Sequence, residues 1–185
     1  MSAATHRLVL SAHPSSRSEA IQGLEVRVQA TEAGILTFAY SLDADMARIR
    51  AAPQALEGRT DGLWKHTCFE AFIEPGMTRE PGEYYELNFS AARQWAAYRF
   101  HAYREGGTPL QLAIRPEIAV RRSQHRLELE ALVRLKLGVA PITRRPKLAL
   151  SAVIEEENGR LCYWAACHPP GKPDFHHPAG FVLEL

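Results

Sequence analysis

The sequence has few cysteines and no excess charge of either sign, and each deficit argues against a class of protein. Its three cysteines, Cys68, Cys162 and Cys167, form no CxxC pair. A sparse, odd set favours reduced thiols over a disulfide framework or a zinc cluster. The chain carries 22 basic and 21 acidic residues. So balanced a composition predicts that neither nucleic acid nor an acidic membrane surface is a partner.

The N-terminal region lacks a long hydrophobic run. Residues 8–10 form a short apolar stretch, too brief for the hydrophobic part of a signal peptide and far below a membrane span. The sequence therefore predicts a cytoplasmic protein that does not enter a membrane. A length of 185 residues predicts a single domain over residues 1–185, long enough to enclose a hydrophobic core.

Helical periodicity is also scarce, whereas apolar and polar residues alternate with a period of two along much of the chain. Segments 24–30 and 35–42 alternate in this way and predict a hairpin. Segment 147–168 predicts two strands joined at Asn158 and Gly159, a pair that suits a type I′ turn. About ten short strands with turn signals between them predict an all-β fold, a single antiparallel, jelly-roll-like β-sandwich with few short helical turns.

Aromatic side chains alternate with Glu, Asn, Arg and His in residues 63–106, where three consecutive strands are predicted. Because successive side chains of a strand point to opposite faces, the apolar residues identify the core face. On the first two strands this rule assigns Glu70, Glu86 and Asn88 to the outer face. These residues are therefore expected on one side of the sheet.

On the third of these strands, the same rule turns Tyr98 and Phe100 toward the core and projects Trp95 and Arg99 outward. If the three strands are neighbours, their outward side chains converge on one polar and aromatic patch. The members of that patch are Glu70, Asn88, Trp95 and Arg99.

Such a patch suits a carbohydrate. Aromatic faces pack against the apolar C–H face of a pyranose, and planar Glu, Asn and Arg groups bridge neighbouring hydroxyls. A second interpretation stays open at this point, because an antiparallel sheet with one solvated face shows the same alternation without any ligand.

The stretch LWKHTCFEAFIEPG at residues 63–76, followed by YYELNFS and WAAYRF, resembles the β-sandwich family that includes family 9 carbohydrate-binding modules and DOMON-like domains. The likeness extends over roughly residues 24–185, and its most specific part is the spacing of Trp64 and Glu70. Within that family the sequence looks closest to stand-alone bacterial DOMON-like proteins.

The resemblance implies a non-catalytic ligand-binding domain with a carbohydrate as its ligand. Sugar-binding members hold a sugar between two tryptophans and bind its hydroxyls with Glu, amide and basic side chains. The likeness assigns these roles to Trp64, Glu70, Asn88 and Arg99, with Trp164 as the second tryptophan. It also implies calcium as a candidate cofactor. Together with the outward Trp95, the expected ligand-binding set is Trp64, Glu70, Asn88, Trp95, Arg99 and Trp164.

Haem is a second candidate ligand, since some DOMON domains are cytochromes with axial Met and His. The candidate axial ligands are Met46, Met77, His66, His101 and His168. The sequence has no CxxCH attachment motif and only three Met residues, so haem ranks below a sugar.

A metal-dependent enzyme is the third hypothesis. The segment at 168–177 offers His168, Asp174, His176 and His177 as nitrogen and oxygen ligands for zinc or iron, with Glu70 as a base. Adjacent histidines on an extended segment point in opposite directions, so no more than one normally joins a given site. A proline-rich loop whose histidines hydrogen-bond to nearby backbone explains the same residues.

Overall fold

The structure, a computed structural model, describes residues 4–31, 34–51, 56–76, 82–135 and 145–185. Its strands are β1 (Ala4–Ala12), β2 (Ile21–Ala30), β3 (Ile35–Ala44), β4 (Gly58–Arg59), β5 (Cys68–Glu74), β6 (Tyr84–Phe89), β7 (Gln94–Phe100), β8 (Thr108–Pro109), β9 (Glu117–Arg122), β10 (Arg126–Arg134), β11 (Lys147–Glu155), β12 (Leu161–Ala165) and β13 (Leu183–Glu184). Short 3₁₀ turns occur at Pro14–Ser16, Leu63–Lys65 and Pro178–Gly180. Within the described ranges, no helix has the length and apolar character that crossing a membrane requires.

The strands form one continuous sheet in the order β4-β7-β6-β5-β11-β12-β1-β2-β3-β10-β9, with β13 paired to β11 and β8 paired to β7. The all-β prediction is confirmed. The prediction of a purely antiparallel sheet is wrong, because β4 runs parallel to β7. The described residues contain thirteen strands, more than the predicted ten or so, because β4, β8 and β13 have two residues each and are too short to show alternation.

Strand β1 joins the two halves of this sheet. Its residues 4–10 pair with β2, whereas Ser11 and Ala12 pair with β12. The sheet therefore curls into a half-barrel whose halves face each other. Tyr40 on β3 lies 5.1 Å from Phe69 on β5, measured between ring centroids. The predicted sandwich of two separate sheets is not confirmed, since β1 connects both halves.

The first core cluster fills the space between the two halves. It buries Val26 and Leu129 from one half against Phe69, Leu87 and Leu150 from the other. The second core cluster lies on the opposite face of β5, β6, β7 and β11 and includes Phe72, Tyr84, Tyr98 and Phe100. Both faces of these four strands are therefore covered, and the second face carries the candidate site.

The hairpin between β11 and β12 confirms the strand prediction but not the predicted turn type. Gly159 donates its backbone N–H to the carbonyl of Glu156 at 2.8 Å. Gly159 has a φ of 85°, whereas Asn158 is not among the residues with positive φ. A type I′ turn needs positive φ at both central residues, so the type I′ assignment is wrong.

Candidate functional site

The strand register places a row of polar residues on the second face. Glu70 on β5 pairs with Asn88 on β6 and with Ser151 on β11. Directly paired residues of antiparallel strands share a face, so all three side chains point away from the first core cluster. Each is buried, with exposed fractions of 3%, 0% and 2%. The polar row is thus part of the interior rather than a solvated surface.

A cleft of about 460 Å³ opens above this row. Its volume falls within the range of small-molecule binding sites. The lining residues come from β5, β6, β7, β11, β12 and the loops around them: Trp64, Glu70, Glu86, Tyr98, Phe100, Arg104, Gly107, Val153, Tyr163, Pro173, Phe175 and His176. Aromatic rings therefore surround a floor that contains two carboxyl groups.

One wall of the cleft belongs to the segment at 168–180, which the sequence places in a proline-rich loop. Arg104, in the loop after β7, donates to Asp174 at 2.8 Å, and Asp174 also accepts the backbone N–H of His176 at 3.1 Å. Phe175 packs against Tyr163 of β12 with ring centroids 6.0 Å apart. These contacts hold the segment against the sheet.

Two neighbours hold the His176 ring. The Tyr84 hydroxyl accepts the backbone N–H of Arg104 at 3.1 Å and is hydrogen-bonded to His176 Nδ1, 2.8 Å away. Burial and the charge of Arg104 lower the pKa of His176 to about 4, although Asp174 acts in the opposite direction. His176 is therefore neutral at pH 7.

The carboxyl groups of Glu70 and Glu86 share the floor of the cleft. Burial, followed by the neighbouring charge of Glu86, raises the pKa of Glu70 well above its usual value. Burial raises the pKa of Glu86 to about 7, against the opposing effects of a hydrogen bond from Asn88 and the charge of Arg104. At neutral pH the pair carries fewer than two negative charges.

Several buried polar atoms of the floor have no hydrogen-bond partner among the described residues. They are Glu70 Oε1, Asn88 Oδ1 and Ser151 Oγ. The amide nitrogen of Asn88 donates one of its two N–H groups to Glu86 Oε1 at 2.7 Å, whereas its oxygen accepts no hydrogen bond there. Buried polar atoms are normally satisfied by protein, water or ligand. A ligand that supplies hydrogen-bond donors fits this position.

Trp64 stands at the rim of the cleft, in the 3₁₀ turn before β5. Its side chain is 41% exposed. Its ring meets Tyr98 edge to face, with centroids 5.6 Å apart, and the Tyr98 hydroxyl donates to Asp61 at 2.6 Å. An anchored partner holds the Trp64 ring in place while leaving part of its surface available to a ligand.

Of the expected ligand-binding residues, the structure brings Trp64 and Glu70 to the cleft, and Asn88 is fully buried beside Glu70 and Glu86 without lining the cleft itself. The register confirms that Glu70, Glu86 and Asn88 share the face away from the first core cluster. Their role in binding remains a prediction. Glu86 was expected on this face but not among the binding residues, and its parity with Asn88 was the available signal.

Trp95 and Arg99 lie on the opposite face of β7. Trp95 pairs with Phe89 and packs against the first core cluster. Arg99 donates from Nε to Glu83 at 2.8 Å. Trp95 does not project outward as predicted, and Arg99 is exposed but lies on the face opposite Glu70, so neither joins the cleft, which Tyr98 and Phe100 face instead. Large aromatic residues lie on both faces of β7, so the apolar side of the alternation does not identify the core.

Trp164 also points away from the cleft. It pairs with Ala12 and Ala152 and is 8% exposed within the first core cluster. The neighbouring Tyr163 lines the cleft instead. Two adjacent aromatic residues on a strand face opposite sides, and the sequence does not show which of them faces the core.

The three histidines of the metal hypothesis have separate partners. His168 donates from Nε2 to the carbonyl of Ser11 at 2.8 Å, and His177 Nδ1 accepts the backbone N–H of Ala179 at 3.1 Å. His176 is bound to Tyr84, as described above. Within the described ranges, no three His, Cys, Asp or Glu side chains form a group suited to a metal ion. The structure therefore does not assemble the expected ligand set.

The candidate haem ligands are dispersed as well. Met46 is 2% exposed within the first core cluster. His66 is paired with Glu155, at 2.8 Å, and His101 lies 3.7 Å from Glu105. Met77 lies outside the described residues. Met46 is thus packed where a haem plane does not fit without rebuilding the core.

Comparison with known proteins shows a likeness in fold. No protein-family model matches the sequence, and no curated protein matches it either. The fold is similar to that of a solved structure from Bacteroides uniformis ATCC 8492, described as "a putative carbohydrate-binding protein". The two chains share a TM-score of 0.66 and 13% sequence identity over 97% of this chain and 84% of that one. At this identity the likeness establishes a shared fold.

Proposed function

We propose that this protein is a non-catalytic carbohydrate-binding domain of the DOMON-like type, with its binding site in the cleft above Glu70. The observation that carries the proposal is the combination of aromatic lining and buried, unpartnered oxygens at the floor. A pyranose matches both, because its C–H face packs on aromatic rings and its hydroxyls donate hydrogen bonds.

The similar fold of the Bacteroides protein supports the same ligand class. Trp64 offers the exposed ring on which a sugar stacks, and Tyr163 and Phe175 supply apolar surface inside the cleft. Glu70, Asn88 and Glu86 accept from the hydroxyls. This assignment retains the tryptophan and the carboxylate that the family resemblance implies and replaces Trp164 with Tyr163.

Calorimetric titration with a panel of mono- and disaccharides tests the proposal. We expect at least one sugar to bind, and Trp64→Ala to weaken its binding by about tenfold or more, because the stacking surface is removed. Arg99→Ala is the control, since Arg99 lies on the opposite face. The Arg99→Ala variant should bind the sugar with the affinity of the wild type. Unchanged binding by the Trp64 variant, or loss only in the Arg99 variant, contradicts the assignment of the cleft.

A further inference from the structure

The cleft floor is rich in acceptors and poor in donors. Glu70 Oε1 and Asn88 Oδ1 are buried and unpartnered, and Glu86 accepts one of the two N–H donors of the Asn88 amide. The nearest cation, Arg104, donates to Asp174. The hydroxyl of Ser151, opposite Glu70 in the register, is a donor at this floor but has no partner there. A ligand must therefore supply several donors at one point.

The charge of the floor is compensated only in part. Glu70 and Glu86 are 3% and 5% exposed and lie in one cleft, where the charge of Glu86 disfavours ionisation of Glu70 and the charge of Arg104 favours ionisation of Glu86. The Glu86 Oε2 atom is 3.8 Å from Nε2 of His176, beyond hydrogen-bond length. His176 is neutral, so it offers no positive charge. Either bound protons or a cation must neutralise the remaining negative charge of Glu70 and Glu86.

An organic ammonium group meets both needs. It carries one positive charge and three N–H donors, whereas a hydroxyl carries one donor and no charge. Aromatic faces attract such cations when they lie within about 6 Å, and Tyr98, Phe100, Tyr163 and Phe175 line the same cleft. Within the described residues, no His, Cys, Asp or Glu cluster suits a metal ion in this role.

We propose that the cleft selects a sugar that carries a protonated amine, with the ammonium group held between Glu70, Glu86 and the Asn88 carbonyl. This inference rests on the proposed carbohydrate function and narrows its ligand class to amino sugars. The rest of the sugar ring then packs against the aromatic lining, as it does for a neutral sugar.

The groups that face the carboxyl pair determine which protons move on binding. Cys68 on β5 has a pKa raised by burial and stays a thiol, Tyr98 on β7 has its pKa raised by burial and by Asp61, and His176 stays neutral. Arg104 keeps its charge. Glu86, whose pKa is raised to about 7, is therefore the group beside the ligand that releases a proton near neutral pH, and the raised pKa of Glu70 keeps a proton available on the same pair.

Calorimetry with matched sugars tests this proposal. The probes are glucosamine, galactosamine and mannosamine, each beside its parent hexose and its N-acetyl derivative. At about pH 7 we expect at least one amino sugar to bind about tenfold more tightly than both counterparts. Near pH 6, titrations in two buffers of different ionisation enthalpy should show proton release for the amino sugar and none for the hexose, because the ammonium favours the ionised pair.

Glu70→Gln should remove the preference for the amine, so that the amino sugar and its parent hexose bind this variant with similar affinity. Glu83→Gln is the matched control, because Glu83 is 4% exposed but is paired with Arg99 outside this cleft. It should keep the preference. Glu86→Gln provides the same test if the Glu70 variant fails to fold. The measurement of proton release in two buffers uses the wild-type protein and needs no variant.

The outcomes separate the two proposals. Hexose binding without any preference for an amine, or a preference that survives in both Glu70→Gln and Glu86→Gln, overturns the amino-sugar inference and leaves the carbohydrate function standing. Absence of binding heat with every amino and neutral sugar overturns the carbohydrate function and, with it, this inference.

Discussion

The two faces of β5, β6, β7 and β11 are made by the same four strands and differ in what they bury. One face contributes Phe69, Leu87 and Leu150 to the first core cluster. The other buries Glu70 and Glu86 in the cleft. Burial of a carboxyl group without a full set of partners lowers stability, whereas burial of apolar surface raises it. The apolar face therefore stabilises the fold, and the face with the cleft lowers the stability, which is a common property of functional surfaces.

The largest effect should come from truncating the core face. Phe69→Ala removes a fully buried ring that packs against Tyr40, so it leaves a cavity between the two halves of the sheet. We expect the free energy of unfolding to fall by about 3–5 kcal/mol. Chemical denaturation monitored by tryptophan fluorescence measures it.

Phe100→Ala is the matched change on the cleft face. Its ring is 9% exposed and stacks on Tyr84 at 4.8 Å, beside the open cleft. Water can enter the space that this variant leaves, so its loss of stability should be the smaller of the two. Equal losses would mean that the cleft face contributes to stability as the core face does.

The carboxyl pair should give the next largest effect, visible as a dependence on pH. The folded-state pKa of Glu86 is raised from 4.5 to about 7, so the folded protein holds a proton that the unfolded chain releases above pH 4.5. Wild-type stability contributed by this group is present below the unfolded pKa and is lost as pH rises through the folded pKa. Glu86→Gln should therefore gain stability relative to the wild type over this window, by about 1–3 kcal/mol.

The comparison between variant and wild type is needed because His176 titrates in the opposite sense. Its pKa is lowered from 6.5 to about 4, so its contribution rises with pH over an overlapping range. It is present in both proteins and largely cancels in the difference. Denaturation curves at several pH values between 4 and 8 measure this difference. A constant difference would show that Glu86 titrates in the folded protein as it does in the unfolded chain.

The alternation of residues predicted the sheet well where one face of a strand is polar. Glu70 and Asn88 were assigned to the correct face because their neighbours Phe69 and Phe89 are large and apolar. On β7 the same rule failed. Trp95 and Tyr98 are apolar residues on opposite faces, and both faces are covered. Period-two reasoning needs one face that is mainly polar in sequence, and on β7 both faces carry large aromatic residues.

The cleft itself could not be predicted from local pattern, because it depends on contacts between distant segments. Tyr84 and His176 are 92 positions apart and Arg104 and Asp174 are 70 apart. Nothing in the proline-rich segment indicates which strand it covers. The parallel pairing of β4 with β7 could not be predicted either, because a strand of two residues shows no periodic pattern. What the sequence supplied was the pair most specific to the family resemblance, Trp64 and Glu70.

The smallest effect compares two neighbours on β11 that face opposite ways. Ser151 lies on the same face as Glu70 with an unpartnered Oγ, and Ala152 faces the first core cluster. Ser151→Ala removes a buried polar atom that lacks a partner, so stability should change by less than about 1 kcal/mol, in the direction of a gain. Thermal or chemical denaturation detects a shift of this size.

Ala152→Ser introduces the same hydroxyl one position along the strand, where the surroundings are apolar and dry. It should lower the free energy of unfolding by about 1–3 kcal/mol, because the new group loses its water and finds no partner. The two substitutions exchange the same atoms in opposite directions, so intrinsic strand propensity largely cancels between them. If Ser151→Ala instead destabilises the protein as much as Ala152→Ser does, the Ser151 hydroxyl has a hydrogen-bond partner in solution. It is then not available as a contact for a ligand.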